Sequence, residues 1–458
     1  MNDFSSKLHS LRDFYKTGET LSYPFRKKQL LLLKDALKNY DEEINKALFA
    51  DLKKSGEEVW ATETGLILSE INYALAHLKK WMQPEKIATD LTTFPSSAKI
   101  YKEPLGVVLI IAPWNYPLQL LLIPLAGAIA AGNCVVLKPS EMAPATALVF
   151  TKMISKNFPE NYITVINGNG AEVVPAMMNN FRFDHVFYTG SISTGKEIYK
   201  LAAKDLIPVT LELGGKSPCI VYDDADIKIS AKRIVLGKFL NTGQTCIAPD
   251  YILVHENAKE KLLDELKITI KKFYSDNAAS SYDYGKIINE KRFDTLISYI
   301  KPQQIFYGGT NRRESLYIEP TILTNVSMQD AVMKEEIFGP VLPLLSFNNT
   351  EDAMKMVLQN PNPLSFYLFT NNKKTEKEWI NKISFGGGCI NNTAWHFTNK
   401  RFPFGGTGNS GMGAYHGKYT FDVFSHKKPV LKTSDCIDPS LKYPPLTNKL
   451  KWIKKLIR

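Results

Sequence analysis

The uncharged run PLGVVLIIAPWNYPLQLLLIPLAGAIAAGNCVVL (residues 104–137) decides how the chain folds. It is longer than a bilayer-crossing helix needs, but Pro113, Asn115, Pro117 and Pro124 lie inside it. A lipid-embedded helix broken there would leave backbone amides without partners. The run instead reads as a buried strand (Gly106–Ala112), a turn (Pro113–Pro117), a helix (Leu118–Ala131) and a second strand (Cys134–Leu137). That is a βαβ unit, whose parallel strands are covered on both faces and so show no polar alternation.

On the amino-terminal side the chain reads as helical, with Leu30, Leu33 and Leu37 on one apolar face amid charged residues. Residues 83–103 are polar and short-patterned, an extended excursion. On the carboxyl side the alternation continues through strand Tyr162–Ile166, a helix near Glu172–Met178 and strand His185–Tyr188. A second alternating set starts near Gly215, with strands Ser217–Tyr222 and Tyr251–His255 and helices Ile227–Leu240 and Ala258–Phe273. The expected class is therefore α/β, with two doubly wound open-sheet domains joined near Leu213-Gly214-Gly215.

The chain has 458 residues, of which 44% are apolar and 22% charged, so disordered and low-complexity classes are excluded. Five scattered cysteines without a CxxC pair argue against a disulfide framework and a zinc site, and point to a reducing, cytoplasmic compartment with no metal. The amino terminus has no apolar core of a secretory signal. The formal charge is +11, and over half of that excess sits in residues 441–458, which carry six bases and no acid. Leu446, Leu450, Ile453 and Ile457 share one helical face there, a basic amphipathic pattern suited either to an anionic membrane surface or to docking on protein. The body is close to neutral, and nucleic acid is not an expected partner.

Strand His185–Tyr188 runs into Gly190-Ser191-Ile192-Ser193-Thr194-Gly195-Lys196-Glu197, one residue short of a P-loop. A P-loop NTPase needs a magnesium-holding hydroxyl where Glu197 stands, which disfavours that reading. The dinucleotide fingerprint GxGxxG is missing too, because Val173 follows Gly168-Asn169-Gly170 where a glycine is required. What remains is a strand, a glycine-flanked turn and a helix start able to hold a pyrophosphate.

Three side chains stand out as candidates for chemistry. Cys246 lies in the polar loop Asn241-Thr242-Gly243-Gln244-Thr245-Cys246, whereas Cys134 and Cys219 sit in apolar strands. Glu212 ends an apolar strand beside two glycines, where burial would raise its pKa and fit it for general-base work. Asn115, at a strand's carboxyl end, could donate its amide to a developing oxyanion. Spacing alone does not bring the three together.

Six motifs in order, Pro113-Trp114-Asn115-Tyr116-Pro117, Lys138-Pro139-Ser140-Glu141, Thr189-Gly190-Ser191, Leu211-Glu212-Leu213-Gly214-Gly215-Lys216, Gly243-Gln244-Thr245-Cys246 and Glu335-Glu336-Ile337-Phe338-Gly339-Pro340, resemble the aldehyde dehydrogenase superfamily. The short start and the stretch from Pro403 to Gly417 resemble its class 3 branch. The resemblance implies that Cys246 is the nucleophile, Glu212 the base for the deacylating water and Asn115 an oxyanion donor. It further implies that Lys138 and Glu141 meet the adenosine ribose, Gly190 and Ser191 the pyrophosphate region, Glu336 the nicotinamide ribose, and Phe338 the nicotinamide. The cofactor would be NAD, with NADP possible. Glu141 should repel a 2′-phosphate, while nearby Lys138 could offset that repulsion.

On this resemblance, residues 1–82 and 104–211 form the NAD(P)-binding domain and 212–414 the catalytic domain. Residues 83–103 and 415–432 form a bridging element of a homodimer, and 433–458 a basic amphipathic tail. The implied substrate is a medium- or long-chain aliphatic, or an aromatic, aldehyde, with Tyr116, Trp395 and Phe397 near the mouth. A coenzyme-A-acylating dehydrogenase is the rival in the same chemistry, disfavoured by Glu212 in the base position.

Overall fold

The structure is a computed structural model that describes residues 4–457. Its α/β organisation rests on two open sheets. The first has six strands in the order Gly411–Met412, Val209–Leu213, His185–Gly190, Val107–Ile111, Cys134–Lys138, Ile163–Val165. All neighbours run parallel except Gly411–Met412, which pairs antiparallel with Val209–Leu213. Strands Val107–Ile111 and Cys134–Lys138 and the connecting helix Gln119–Ala131 are buried at every residue, which is why the run that encodes them carries no charge before Lys138. Pro124 sits inside that helix without ending it.

The second sheet has seven strands, ordered Ile305–Tyr307, Thr321–Leu323, Val341–Phe347, Tyr251–His255, Pro218–Val221, Ser365–Phe369, Gly387–Ile390, antiparallel only at its first pair. A separate three-stranded antiparallel sheet joins Glu85–Ile87, Ser96–Pro104 and Ser425–Thr433. The amino-terminal helices are as expected: Leu30, Leu33 and Leu37 lie fully inside the first core.

Three boundaries differ from the sequence expectation. Glu212 belongs to the first sheet, so the second begins only at Pro218; the returning residues Gly411–Met412 also add to the first sheet. Within 415–432 only Ser425 onward joins the three-stranded sheet. Tyr415, Phe421 and Phe424 are buried in the first core, because the short helix Lys418–Val423 packs on helix Gln119–Ala131. In the tail, helix Leu450–Leu456 starts four residues after Leu446, so the expected continuous face is shorter. Asn448, at a left-handed φ of 63°, breaks the helical path before it. Arg458, counted among the tail's bases, lies outside the described residues. Among those residues no helix is long and apolar enough to cross a membrane.

In the first sheet the chain moves outward from Val107–Ile111 to one side, then returns to lay His185–Gly190 on the other. A crevice opens beyond the carboxyl ends of two such strands, where successive connections leave in opposite directions. Trp114-Asn115 follows one of these strands and Ser191 the other.

Candidate active site

A cleft of about 890 Å³ lies at this crevice, and its walls include Asn115, Gly190, Ser191, Glu212, Cys246, Glu336 and Phe338. Lys138 and Glu141 do not line it with Cys246. They sit at the end of the next strand, where Lys138 Nζ donates to Glu141 Oε2 at 2.6 Å and the Gly170 N–H donates to Glu141 Oε1 at 3.0 Å. Lys138 is buried and Glu141 partly exposed, so a fixed carboxylate faces solvent at the sheet edge.

Cys246 is presented by a loop held in an unusual shape. Asn241 and Thr242 take left-handed φ values of 50° and 55°, and Gly243 follows at 74°. The two side-chain-bearing residues cost about 1–3 kcal/mol each in this region. Gly243 is needed there because a Cβ would overlap the Gly339 carbonyl. Gln244 secures the loop: its Nε2 donates to the carbonyls of Asn241 and Lys286 at 3.1 and 3.0 Å, and its Oε1 accepts from the Ile288 N–H at 3.0 Å. The backbone N–H groups of Cys246 and Ile247 face the sulfur. Burial nevertheless pushes the thiol up to about 12, and the carboxyls of Glu336 and Glu212 push the same way. The resting thiol is therefore protonated at neutral pH.

Glu212 lies one residue before the end of strand Val209–Leu213 with only 3% of its surface exposed, and among the described residues neither carboxyl oxygen has a hydrogen-bond partner. Burial alone raises its pKa well above the usual carboxyl range. Asn115 is buried in the turn after Val107–Ile111, where its Nδ2 donates to the Gln244 carbonyl at 3.0 Å. An amide NH₂ carries two donors, so one Nδ2 hydrogen is left over after this bond. Phe338, at a left-handed φ of 50°, meets Trp114 edge-on with ring centroids 5.3 Å apart.

Glu336 packs so closely on Gly214 that a Cβ there would overlap the carboxylate. The Gly215 N–H donates to Glu336, yet burial and Asp250 still push its carboxyl up to about 8. Among the described residues its Oε1 has no partner, which leaves a buried acceptor on the cleft wall. Helix Ile192–Ala203 begins beside Gly190, with the Ser191 side chain accepting from the Thr194 N–H, and Glu197 is turned aside on Lys200. A free acceptor for a sugar, helix-start amides for phosphates and a second carboxylate one strand away together suit a dinucleotide.

Behind Cys246 lies a second, apolar pocket walled by Tyr116, Leu120, Phe397, Phe404, Tyr415 and His416. Cys246, Glu212, Leu213, Thr189 and Leu120 line both cavities. Trp395 is 53% exposed and stands outside this wall.

Sequence reasoning missed several supporting side chains. Lys216 forms a buried ion pair with Asp250 and donates to the carbonyls of Val332 and Glu335 at 2.8 Å, fixing the loop that carries Glu336. Asn241 Nδ2 and Lys54 Nζ both donate to the Asn115 carbonyl, at 2.8 and 3.0 Å. Lys216 and Gln244 stood inside quoted motifs, but nothing in their identity distinguished a brace from a surface group.

Residues 8–430 match the aldehyde dehydrogenase family. The chain is 45% identical over 460 residues to the 4,4'-diaponeurosporen-aldehyde dehydrogenase of Staphylococcus aureus (strain NCTC 8325 / PS 47), with all of both chains covered. Its structure superposes on the substrate-bound state of Staphylococcus aureus AldH with a TM-score of 0.98, at 45% identity and covering 100% of each chain. It also matches the NAD+ complex of an aldehyde dehydrogenase from Bacillus cereus with a TM-score of 0.84, at 28% identity over 94% of this chain and 89% of that one. The two-sheet fold, the dinucleotide-sized cleft and these matches agree: the chain belongs to the aldehyde dehydrogenase family and is an NAD(P)-dependent oxidoreductase that acts on aldehydes.

Proposed function

We propose that the chain oxidises medium- or long-chain aliphatic, or aromatic, aldehydes to carboxylates through a thioester on Cys246. The observation that carries this reading is the position of Cys246 and Glu212 on the shared wall between the polar cleft and the apolar pocket. The apolar pocket holds about 50 Å³, room for only the first carbons of an aldehyde tail, and a tail seated there brings its carbonyl to the sulfur. The Cys246 thiol first gives up its proton to water; the resulting thiolate attacks the carbonyl carbon, and the displaced π pair becomes an alkoxide held by the Asn115 amide and the Cys246 N–H. Collapse of the alkoxide restores the C=O bond and expels the aldehydic hydrogen with its bonding pair. Bound NAD supplies the hydride acceptor. Glu212 then removes a proton from water, the water oxygen attacks the thioester, and the thiolate leaves as the carboxylic acid forms.

Lys138 and Glu141 would meet the adenosine ribose, Gly190 and Ser191 the pyrophosphate, Glu336 the nicotinamide ribose and Phe338 the nicotinamide. The Glu141 carboxylate favours NAD, because a 2′-phosphate would meet its charge while Lys138 is already engaged. A coenzyme-A-acylating reaction is less well supported, given a buried carboxylate where water activation is needed. The test is a chain-length series of alkanals assayed with NAD and with NADP, without coenzyme A. Each methylene that enters the pocket should raise kcat/KM about three- to fourfold, corresponding to about 0.8 kcal/mol, and NAD should be preferred. A flat series would remove the apolar-substrate assignment.

We further infer that residues 1–82 and 104–213, with the returning 411–424, form the NAD(P)-binding unit and that 214–410 form the catalytic unit of a cytoplasmic homodimer. Strand Ser425–Thr433 supports the dimer reading, since Val430 and Leu431 are exposed on a sheet that stands apart from both cores. The tail's Leu446, Leu450, Trp452 and Ile457 are also exposed beside its lysines, which supports peripheral contact with an anionic membrane. Full-length protein should co-sediment with phosphatidylserine-containing vesicles, and protein ending at Pro445 should not. Equal sedimentation of the two would remove the tail from any such role.

A further inference from the structure

Lys54 is 1% exposed, and its ammonium lies beneath the turn that carries Asn115. Its Nζ donates to Glu63 at 2.8 Å and to the Asn115 carbonyl at 3.0 Å, and lies 4.0 Å from the centre of the Tyr116 ring. Glu63 is fully buried as well. Its second oxygen accepts from the N–H groups of Leu118 and Gln119 at 3.1 and 2.9 Å, capping the otherwise uncapped start of helix Gln119–Ala131.

Glu63 belongs to a single wide π-type turn, Trp60–Thr64, between helices Gly56–Val59 and Gly65–Trp81. Such a turn re-aims the side chains it carries and is frequent at functional sites. Here it presents Glu63 to Lys54 and Thr62 to the apolar pocket wall. Two short routes then lead from the ammonium towards the reacting atoms. One runs through the Asn115 carbonyl to that residue's own amide. The other runs through Tyr116, whose hydroxyl lies 2.6 Å from Thr245 Oγ1, one residue before Cys246. An apolar pair of similar volume could fill this space without the desolvation cost of two buried charges. What an apolar pair could not do is hold the Asn115 peptide and the start of the next helix in one fixed relation.

We propose that Lys54, with Glu63 behind it, is a positioning residue for aldehyde oxidation that acts through Asn115, holding its amide where the oxyanion forms. The proposal rests on Asn115 being the oxyanion donor, and the experiment separates the two. A double-mutant cycle of Lys54→Met and Asn115→Ala is read as the single-turnover rate of NADH formation, alongside NAD affinity and the thermal midpoint. Asn115→Ala should slow that rate about 10²–10³-fold, as for loss of one oxyanion donor. Lys54→Met should slow it about 10²-fold through misplacement of the amide, with NAD affinity unchanged. Adding Lys54→Met to Asn115→Ala should change the rate by less than about twofold, because the two act as one unit.

A normal rate in Asn115→Ala would overturn the donor assignment. A slow Asn115→Ala with a further, multiplicative loss from Lys54→Met would overturn the positioning role while leaving the donor in place. Should Lys54→Met fail to fold, Glu63→Gln keeps the side-chain shape and enters the same cycle with the same expected and contradicting results.

Discussion

Replacing Cys246 by alanine should lower dehydrogenase turnover about 10⁴-fold or more, the scale of losing a covalent nucleophile. The other cysteines cannot substitute. Cys134 and Cys219 are fully buried in strands of the two sheets, and neither Cys389 nor Cys436 lines the cleft or the apolar pocket. The variant should keep its NAD affinity, because the residues proposed to hold the cofactor, Lys138, Glu141, Gly190, Ser191 and Glu336, lie on other segments of the chain. A pH signature accompanies the loss. With burial and two neighbouring carboxyls holding the free thiol up to about 12, iodoacetamide modification of Cys246 should accelerate steadily from pH 7 to 10 without a plateau. A plateau near pH 7 would mean that the resting thiol is already ionised.

Glu212→Gln separates the two halves of the reaction. The amide keeps the shape of the side chain but cannot take a proton, so NADH should appear in a single fast burst while steady turnover falls about 10²–10⁴-fold. In the wild type the release step should quicken with rising pH, because the carboxyl is protonated at low pH and works as a base only once ionised. Burial raises its pKa, which shifts that acceleration above the ordinary carboxyl range. The variant should lose this pH dependence along with the rate. A variant that turns over normally would assign the base elsewhere.

Much of this was legible in the chain. The strands of the first sheet announced themselves because both of their faces are covered, and Pro113 and Pro117 marked the turn that carries Asn115. Glu212 stood out as an acid in an apolar strand, a combination that burial makes chemically consequential. What could not be read depends on contacts between distant segments. Lys54 and Glu63 lie in KSGEEVWATETG, within the amino-terminal part read only as helical, and only the fold shows that both are buried. Tyr415, Phe421 and Phe424 reach the first core from far along the chain, so the limit between bridging strand and core is set by packing. The meeting of Asn115, Glu212 and Cys246 is likewise a property of the crevice between two sheets.

The most direct test of the thioester route is intact-protein and peptide mass spectrometry of Glu212→Gln after one turnover with NAD and a long-chain alkanal. The account predicts one acyl group per subunit, located on the peptide that contains Cys246 and formed in step with the NADH burst. A burst without an adduct, or an acyl group on any other residue, would contradict it.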